Sequence, residues 1–159
     1  MKPEGIQDRH QKIIVKNRKA YHEYEVISSV ETGIVLRGTE VKSLRAGKCS
    51  IQDAYANFPN PQGYELFLIN FHISPYEHGN RENHEPKRAR KLLVNYRESV
   101  KLKSAVQEKG ITLIPLTIYF SGPFVKIELG LMKAKRKYDK RQVVKERDTE
   151  RDIRRNFKA

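Results

Sequence analysis

Two short stretches carry side chains suited to holding a nucleic acid: Asn17-Arg18-Lys19-Ala20-Tyr21-His22 and Arg88-Ala89-Arg90-Lys91. The first mixes cations, an amide and rings, a set that can contact an RNA backbone and stack on bases. It reads equally well as a charged turn with Tyr21 packed inward. The second, by composition alone, is a solvated loop or a nuclear signal. Leu92-Leu93-Val94 after it suits a buried strand, and Asn95 is most simply a helix N-cap. Catalytic chemistry is harder to find. His10, His22, His72, His78 and His84 form no His-Glu-x-x-His pattern and no pair on one helix face. His78 and His84 fall in a polar stretch and are expected to be solvated rather than metal-binding. Cys49 has no local histidine to activate it and is expected to be structural. No catalytic residue, metal or cofactor is expected, and the chain does not read as an enzyme.

The composition agrees with a polyanionic partner. Lys and Arg number 32 against 19 Asp and Glu, a formal charge of +13 with a pI near 9.9. Nucleic acid is the first expectation and an anionic membrane surface the second. No apolar run is long enough to span a bilayer, and no signal-peptide core stands at the N-terminus. One cysteine rules out an intramolecular disulfide and a Cys-x-x-Cys metal knuckle. These features point to the cytoplasm.

The elements that must position such residues are short. Residues 1–11 read as a loose N-terminus. Lys12–Lys16 is a β-branched strand, and Asn17 caps a helical turn in which Tyr21 and Tyr24 share a face. Two strand runs from Tyr24 to Leu36 flank Glu31-Thr32-Gly33, with Gly33 available for a positive φ. Gly38 to Lys48 reads as a short helix with Thr39 as N-cap, Glu40 at the positive end of its dipole and Gly47 ending it. Val41 and Leu44 face inward there, leaving Glu40, Lys42 and Arg45 outward. Ile51–Phe58 and Tyr64–Ile73 are strand-like around the turn Asn60-Pro61-Gln62-Gly63. Residues 74–91 read as a long exposed loop. Asn95 with Glu98 opens a second helix, whose apolar face is Leu102, Ala105 and Val106 and whose stop is Gly110. Ile111–Phe120 and Phe124–Met132 form a hairpin, with Pro115 marking an edge or a bulge. Residues 134–159 hold 11 basic and 5 acidic side chains and too little apolar surface to fold alone. The expected fold is mainly β with peripheral helices (α+β): a small closed antiparallel barrel of the OB kind at 12–133, between the N-terminus at 1–11 and a basic tail at 134–159.

Four stretches, in order, resemble motifs of the small protein B family of bacteria. Asn17 to Tyr24 matches Asn, two basic residues, Ala, any residue, His, an acid and Tyr. Glu31 to Arg45 matches a longer pattern that closes on Glu-Val-Lys-Ser-Leu-Arg. Arg88 to Glu98 is close to a third, apart from the spacing at the helix start. Arg136-Lys137-Tyr138-Asp139-Lys140-Arg141 matches the last, before a basic tail. That motif usually opens on Gly, where Ala134 stands here, which implies a stiffer exit from the domain.

The resemblance implies a protein that binds the tRNA-like domain of transfer-messenger RNA and delivers it to stalled ribosomes in trans-translation. It implies RNA contacts at Asn17, Arg18, Lys19, His22, Glu31, Glu40, Lys42, Arg45, Arg90, Lys91, Leu93 and Asn95. The tail, with Lys135, Arg136, Lys137, Tyr138, Asp139, Lys140 and Arg141, is expected to enter the small-subunit decoding centre and empty mRNA channel, helical there and disordered elsewhere. The free protein is expected to be a monomer without membrane contact. The residues alone leave open a general structured-RNA-binding or ribosomal protein.

Overall fold

The computed structural model describes residues 11–79 and 83–135, so residues 1–10 of the N-terminal expectation and the tail candidates from Arg136 to Arg141 lie outside the described residues, while Gln11 already opens a strand. The described chain is mainly β, with nine strands and three helices. Strand β1 (Gln11–Lys16) leads into α1 (Arg18–Glu23), and β2 (Tyr24–Ile34) into α2 (Gly38–Arg45). Then come β3 (Cys49–Ser50), β4 (Tyr55–Asn57), β5 (Leu66–Ile69), β6 (His72–Ile73) and β7 (Arg90–Leu93). Helix α3 (Tyr96–Val106) precedes the hairpin β8 (Ile111–Ser121) and β9 (Phe124–Ala134).

All pairings are antiparallel, and they run in a circuit: β8 with β4, β4 with β5, β5 with β7, β7 with β2, β2 with β9, and β9 back with β8. Strand β1 adds to β8, and β3 with β6 forms a separate two-stranded ladder. Inside the circuit lie Leu66, Leu68, Leu92, Leu113, Ile118, Ile127 and Leu129, with Leu44 of α2 and Leu102 of α3 joining them. Alternation of buried and less buried residues along β5 follows from this one-sided burial. Strand β8 does not alternate, because residues 113–119 are all buried. Its other face is covered by a second small cluster, in which Ala20 of α1 meets Ile114, Leu116 and Met132.

Several local expectations hold and others are corrected. Asn17 caps α1, Gly47 takes φ 71 at the end of α2, and the turn at 60–63 closes with Gly63 N–H donating to the Asn60 carbonyl. The register between β8 and β9 shifts between Pro115 and Thr117, so Pro115 marks a bulge rather than an edge. The two expected runs from Tyr24 to Leu36 are one strand, and Gly33 has no positive φ. Its lack of a side chain serves packing instead, since a Cβ there would lie 3.2 Å from Cβ of Leu93. The strand expected at 51–58 shrinks to Tyr55–Asn57, and that at 64–73 breaks at Asn70, which takes φ 59. Helix α2 is capped by Arg37, not Thr39: the Arg37 N–H donates to Glu40 Oε1 at 2.8 Å. Thr39 instead meets His84.

The stretch 74–91 is not all exposed loop. His84 is buried, with Nδ1 2.9 Å from Thr39 Oγ1 and Nε2 2.9 Å from the Ile73 carbonyl. A carbonyl can only accept, so Nε2 carries the proton and Nδ1 accepts from the threonine hydroxyl. Arg90 and Lys91 belong to β7.

Candidate nucleic-acid interface

The centre of the region is an ion-pair knot beneath its surface. Glu40, in the first turn of α2, has no exposed side-chain surface and pairs with both Arg88 and Arg90. Arg88 Nη2 reaches Oε1 at 2.5 Å, and Arg90 Nε donates to Oε2. Arg90 is itself fully buried and donates onward to the carbonyls of Phe71 at 2.5 Å and Pro86 at 3.1 Å. Burial by itself would raise the Glu40 carboxyl. The bonds from Arg88, the Arg37 N–H and Arg90 outweigh it and hold the group below the usual carboxylate range. Among the described residues, every buried side-chain polar atom has a partner. The expectation that Glu40 looks outward from α2 is therefore corrected, and Arg90 is buried with it. Their charges are used up internally, where they tie α2 to the start of β7 and to the loop before it.

Asn17 is buried and internally bonded as well. Its side chain is 1% exposed, accepts from Ala20 N–H at 3.1 Å, and donates to the carbonyls of Pro115 at 3.1 Å and Ile51 at 3.3 Å. The amide thus joins α1, the β8 bulge and the turn after β3.

The other candidates remain at or near the surface, in groups set by the strands. Arg18, Lys19 and His22 are exposed on α1, and Tyr21 beside them is exposed as well. Lys135, first of the tail candidates, joins this group: its N–H donates to the Glu23 carbonyl at 3.0 Å and its Nζ to the Tyr21 carbonyl at 3.2 Å. Lys42 and Arg45 are exposed on α2, with Lys42 Nζ 5.2 Å from the centre of the Tyr76 ring. At the far end of β2, Gly33 pairs with Leu93. Glu31, two residues earlier, shares that outer face. Leu93 is exposed, as is Asn95, whose side chain caps α3 by accepting from Arg97 N–H at 3.0 Å. Lys91 is half-buried and pairs with Glu65 at 3.2 Å.

Glu31 is exposed but engaged, because the Tyr119 hydroxyl donates to it. Burial first, then that bond and the charges of Glu31 and Glu128, push the Tyr119 hydroxyl well above its ordinary value. It stays a donor at any physiological pH.

Tyr64, Tyr96, Lys103, Tyr76 and Glu128 also belong to this surface, and no motif points to them. Period-two alternation along β9 carries a signal for Glu128, and Tyr96 adjoins a motif residue. Nothing in the sequence marks Tyr64, which reaches Tyr96 only through the fold. Cys49 is half-buried, and burial pushes its thiol up to about 11, so it stays protonated near neutral pH. Among the described residues no group of three or more His, Cys, Asp or Glu is arranged to hold a metal, and no helix is long and apolar enough to cross a membrane.

The arrangement offers cations and rings at both ends of β2, eleven residues long. Some 30 Å of strand separates them at about 3.3 Å per residue. A ligand that touches both ends must itself be extended and anionic, which suits a folded RNA better than a small molecule.

Comparison with known proteins agrees in extent as well as kind. A family model described as SmpB protein matches residues 14–159. A protein of Carboxydothermus hydrogenoformans called SsrA-binding protein is 52% identical over 149 residues, covering 94% of this chain and 98% of its own. One of the same name from Desulfitobacterium hafniense is 49% identical over 158 residues, covering 99% of this chain and 96% of its own. A solved structure described as "tmRNA-SmpB: a journey to the center of the bacterial ribosome" aligns with a TM-score of 0.66 at 43% identity, over 83% of this chain and 94% of that one.

Proposed function

The chain belongs to the SmpB protein family, and from that premise we propose that it binds transfer-messenger RNA and delivers it to stalled ribosomes for trans-translation. The carrying observation is the extent of the likeness: relatives called SsrA-binding protein are about half identical over more than nine-tenths of the chain. The surface supports it, since Arg18, Lys19, His22, Lys42, Arg45, Leu93 and Asn95 are exposed where the resemblance expects contacts. Cations on α1 and α2 position the backbone, while Leu93 and Asn95 read shape or an unpaired base. Glu31, fixed by Tyr119, can accept from a base amine or a ribose hydroxyl. Glu40 and Arg90 act through position, by holding α2 against β7.

The circuit of strand pairings supports reading the domain as an OB-like closed antiparallel barrel. In this reading the barrel engages the tRNA-like domain. The basic tail, from Lys135 through Arg141, enters the decoding centre and empty mRNA channel of the small subunit. The protein supplies binding and placement but no chemical step of its own, and it works in the cytoplasm as a monomer until it meets RNA.

The test is competition binding. Labelled tRNA-like domain should be displaced by unlabelled tRNA-like domain far better than by an unrelated hairpin of equal length. Equal displacement by both would leave a general RNA-binding protein, and the proposal would be wrong.

A further inference from the structure

We propose that Tyr96 and Tyr64 form a stacking platform for one unpaired nucleobase of the bound RNA, beside Leu93 and Asn95. This rests on the RNA-binding reading above and adds two residues that it does not contain.

Tyr96 is the first residue of α3 and is 67% exposed, and Tyr64, just past the turn at 60–63, is 41% exposed. Their rings meet edge to face, with centroids 5.4 Å apart and planes at 74°. Tyr64 is held from three sides. Ser99 Oγ donates to its carbonyl at 2.5 Å. Lys103 Nζ sits 4.7 Å from its ring centre and is itself held by the carbonyls of Pro61 at 2.7 Å and Gly63 at 2.5 Å. Ser99 and Lys103 lie on the same helix as Tyr96, three and seven residues on, so one element builds both the platform and its brace. The bond from Ser99 and the Lys103 contact place Tyr64 before a ligand arrives, which lowers the entropic cost of stacking beside it.

A structural role explains Tyr64, whose contacts secure the turn to α3. It does not explain Tyr96, whose ring stays mostly in water at a position that helix formation leaves free. Leu93, 54% exposed, and Lys91 line the same cleft. The surroundings favour a base over an apolar protein side chain. Lys91 and Lys103 outnumber Glu65 here, on a chain of charge +13. Every base offers a π-face to a tyrosine, and neighbouring cations can take the flanking phosphates.

The chain contains no tryptophan, so Tyr96→Trp in the full-length protein places a single indole at the platform. On titration with the tRNA-like domain of transfer-messenger RNA, its emission should be quenched in step with binding. Tyr96→Ala should weaken that RNA by roughly 5- to 150-fold, the range of one lost base–aromatic stack. Tyr96→Phe should recover most of the loss. An indole whose emission does not change at saturation overturns the platform, even if Tyr96→Ala binds poorly, because a packing defect would then account for the loss. So does a Tyr96→Ala protein that binds as tightly as the unaltered one. Neither result touches the broader reading, which fails only if the unaltered protein shows no preference for the tRNA-like domain.

Discussion

At Glu40 one carboxylate answers two guanidiniums, and the consequence is a sharp asymmetry between having the group and losing it. Glu40→Ala would leave Arg90 charged and buried without its counter-ion, a change that costs about 3–5 kcal/mol. The expected outcome is a large fall in melting temperature, measured by circular dichroism. The folded carboxyl titrates lower than its unfolded counterpart. Its stabilisation is therefore complete above the unfolded value, near ~4.3, and is lost as pH falls from there through the lower folded value. Glu40→Gln should flatten that acid limb of the stability profile, and a profile parallel to the unaltered protein's would contradict the ion-pair account. Asn95 is a separate case. Its side chain caps α3 and is also exposed, so Asn95→Ala should lower stability by about 0.5–2 kcal/mol and weaken the tRNA-like domain more than an unrelated RNA. A stability loss with unchanged preference would leave the cap as its whole role.

At the scale of elements, α1 depends on two close fits. Asn17 pins its start to the β8 bulge, and Gly130 of β9 leaves room for Leu116 beneath it. A Cβ on Gly130 would lie 2.7 Å from Leu116 Cδ1 and 2.8 Å from Met132 Sδ. Gly130→Ala should therefore force the cluster under α1 to shift and destabilise the fold by about 1–3 kcal/mol. Hydrogen exchange checks the location: protection should fall first in α1 and in the adjoining ends of β8 and β9. Uniform loss across the sheet would mean that α1 is not the element set by this contact.

For the whole molecule, the +13 charge predicts binding that weakens steeply with salt. The logarithmic slope should be roughly −0.7 to −0.9 per phosphate neutralised. A flat profile would mean that the basic surface is not the binding face. The basic tail sets a second expectation. Lys135 still bonds to Glu23 and Tyr21, so a chain ended after it keeps those contacts. That shortened protein should bind transfer-messenger RNA almost normally and yet fail to support tagging in a cell-free translation assay with stalled ribosomes. Parallel loss of both activities would make the tail part of the RNA site.

The sequence by itself determined the polyanionic partner, the family, the hairpin of β8 and β9, the caps at Asn17 and Asn95, and the turn at Asn60–Gly63. Each of these is written in local chemistry: a count of charges, an ordered motif, a short polar side chain ahead of a helix, a Pro and a Gly at fixed offsets. Motif matching placed Glu40, Arg90 and Asn17 among the contacts, and only the tertiary structure decided that they face inward. Polarity does not tell whether a charged group meets water or a partner, and the partners of Glu40 lie 48 and 50 residues away. Separation in sequence likewise hid the meeting of Tyr64 with Tyr96 and of His84 with Thr39. Non-local pairing of that kind has no period to read, because it is set by how the strands close on one another and by which buried groups must satisfy each other once water is gone.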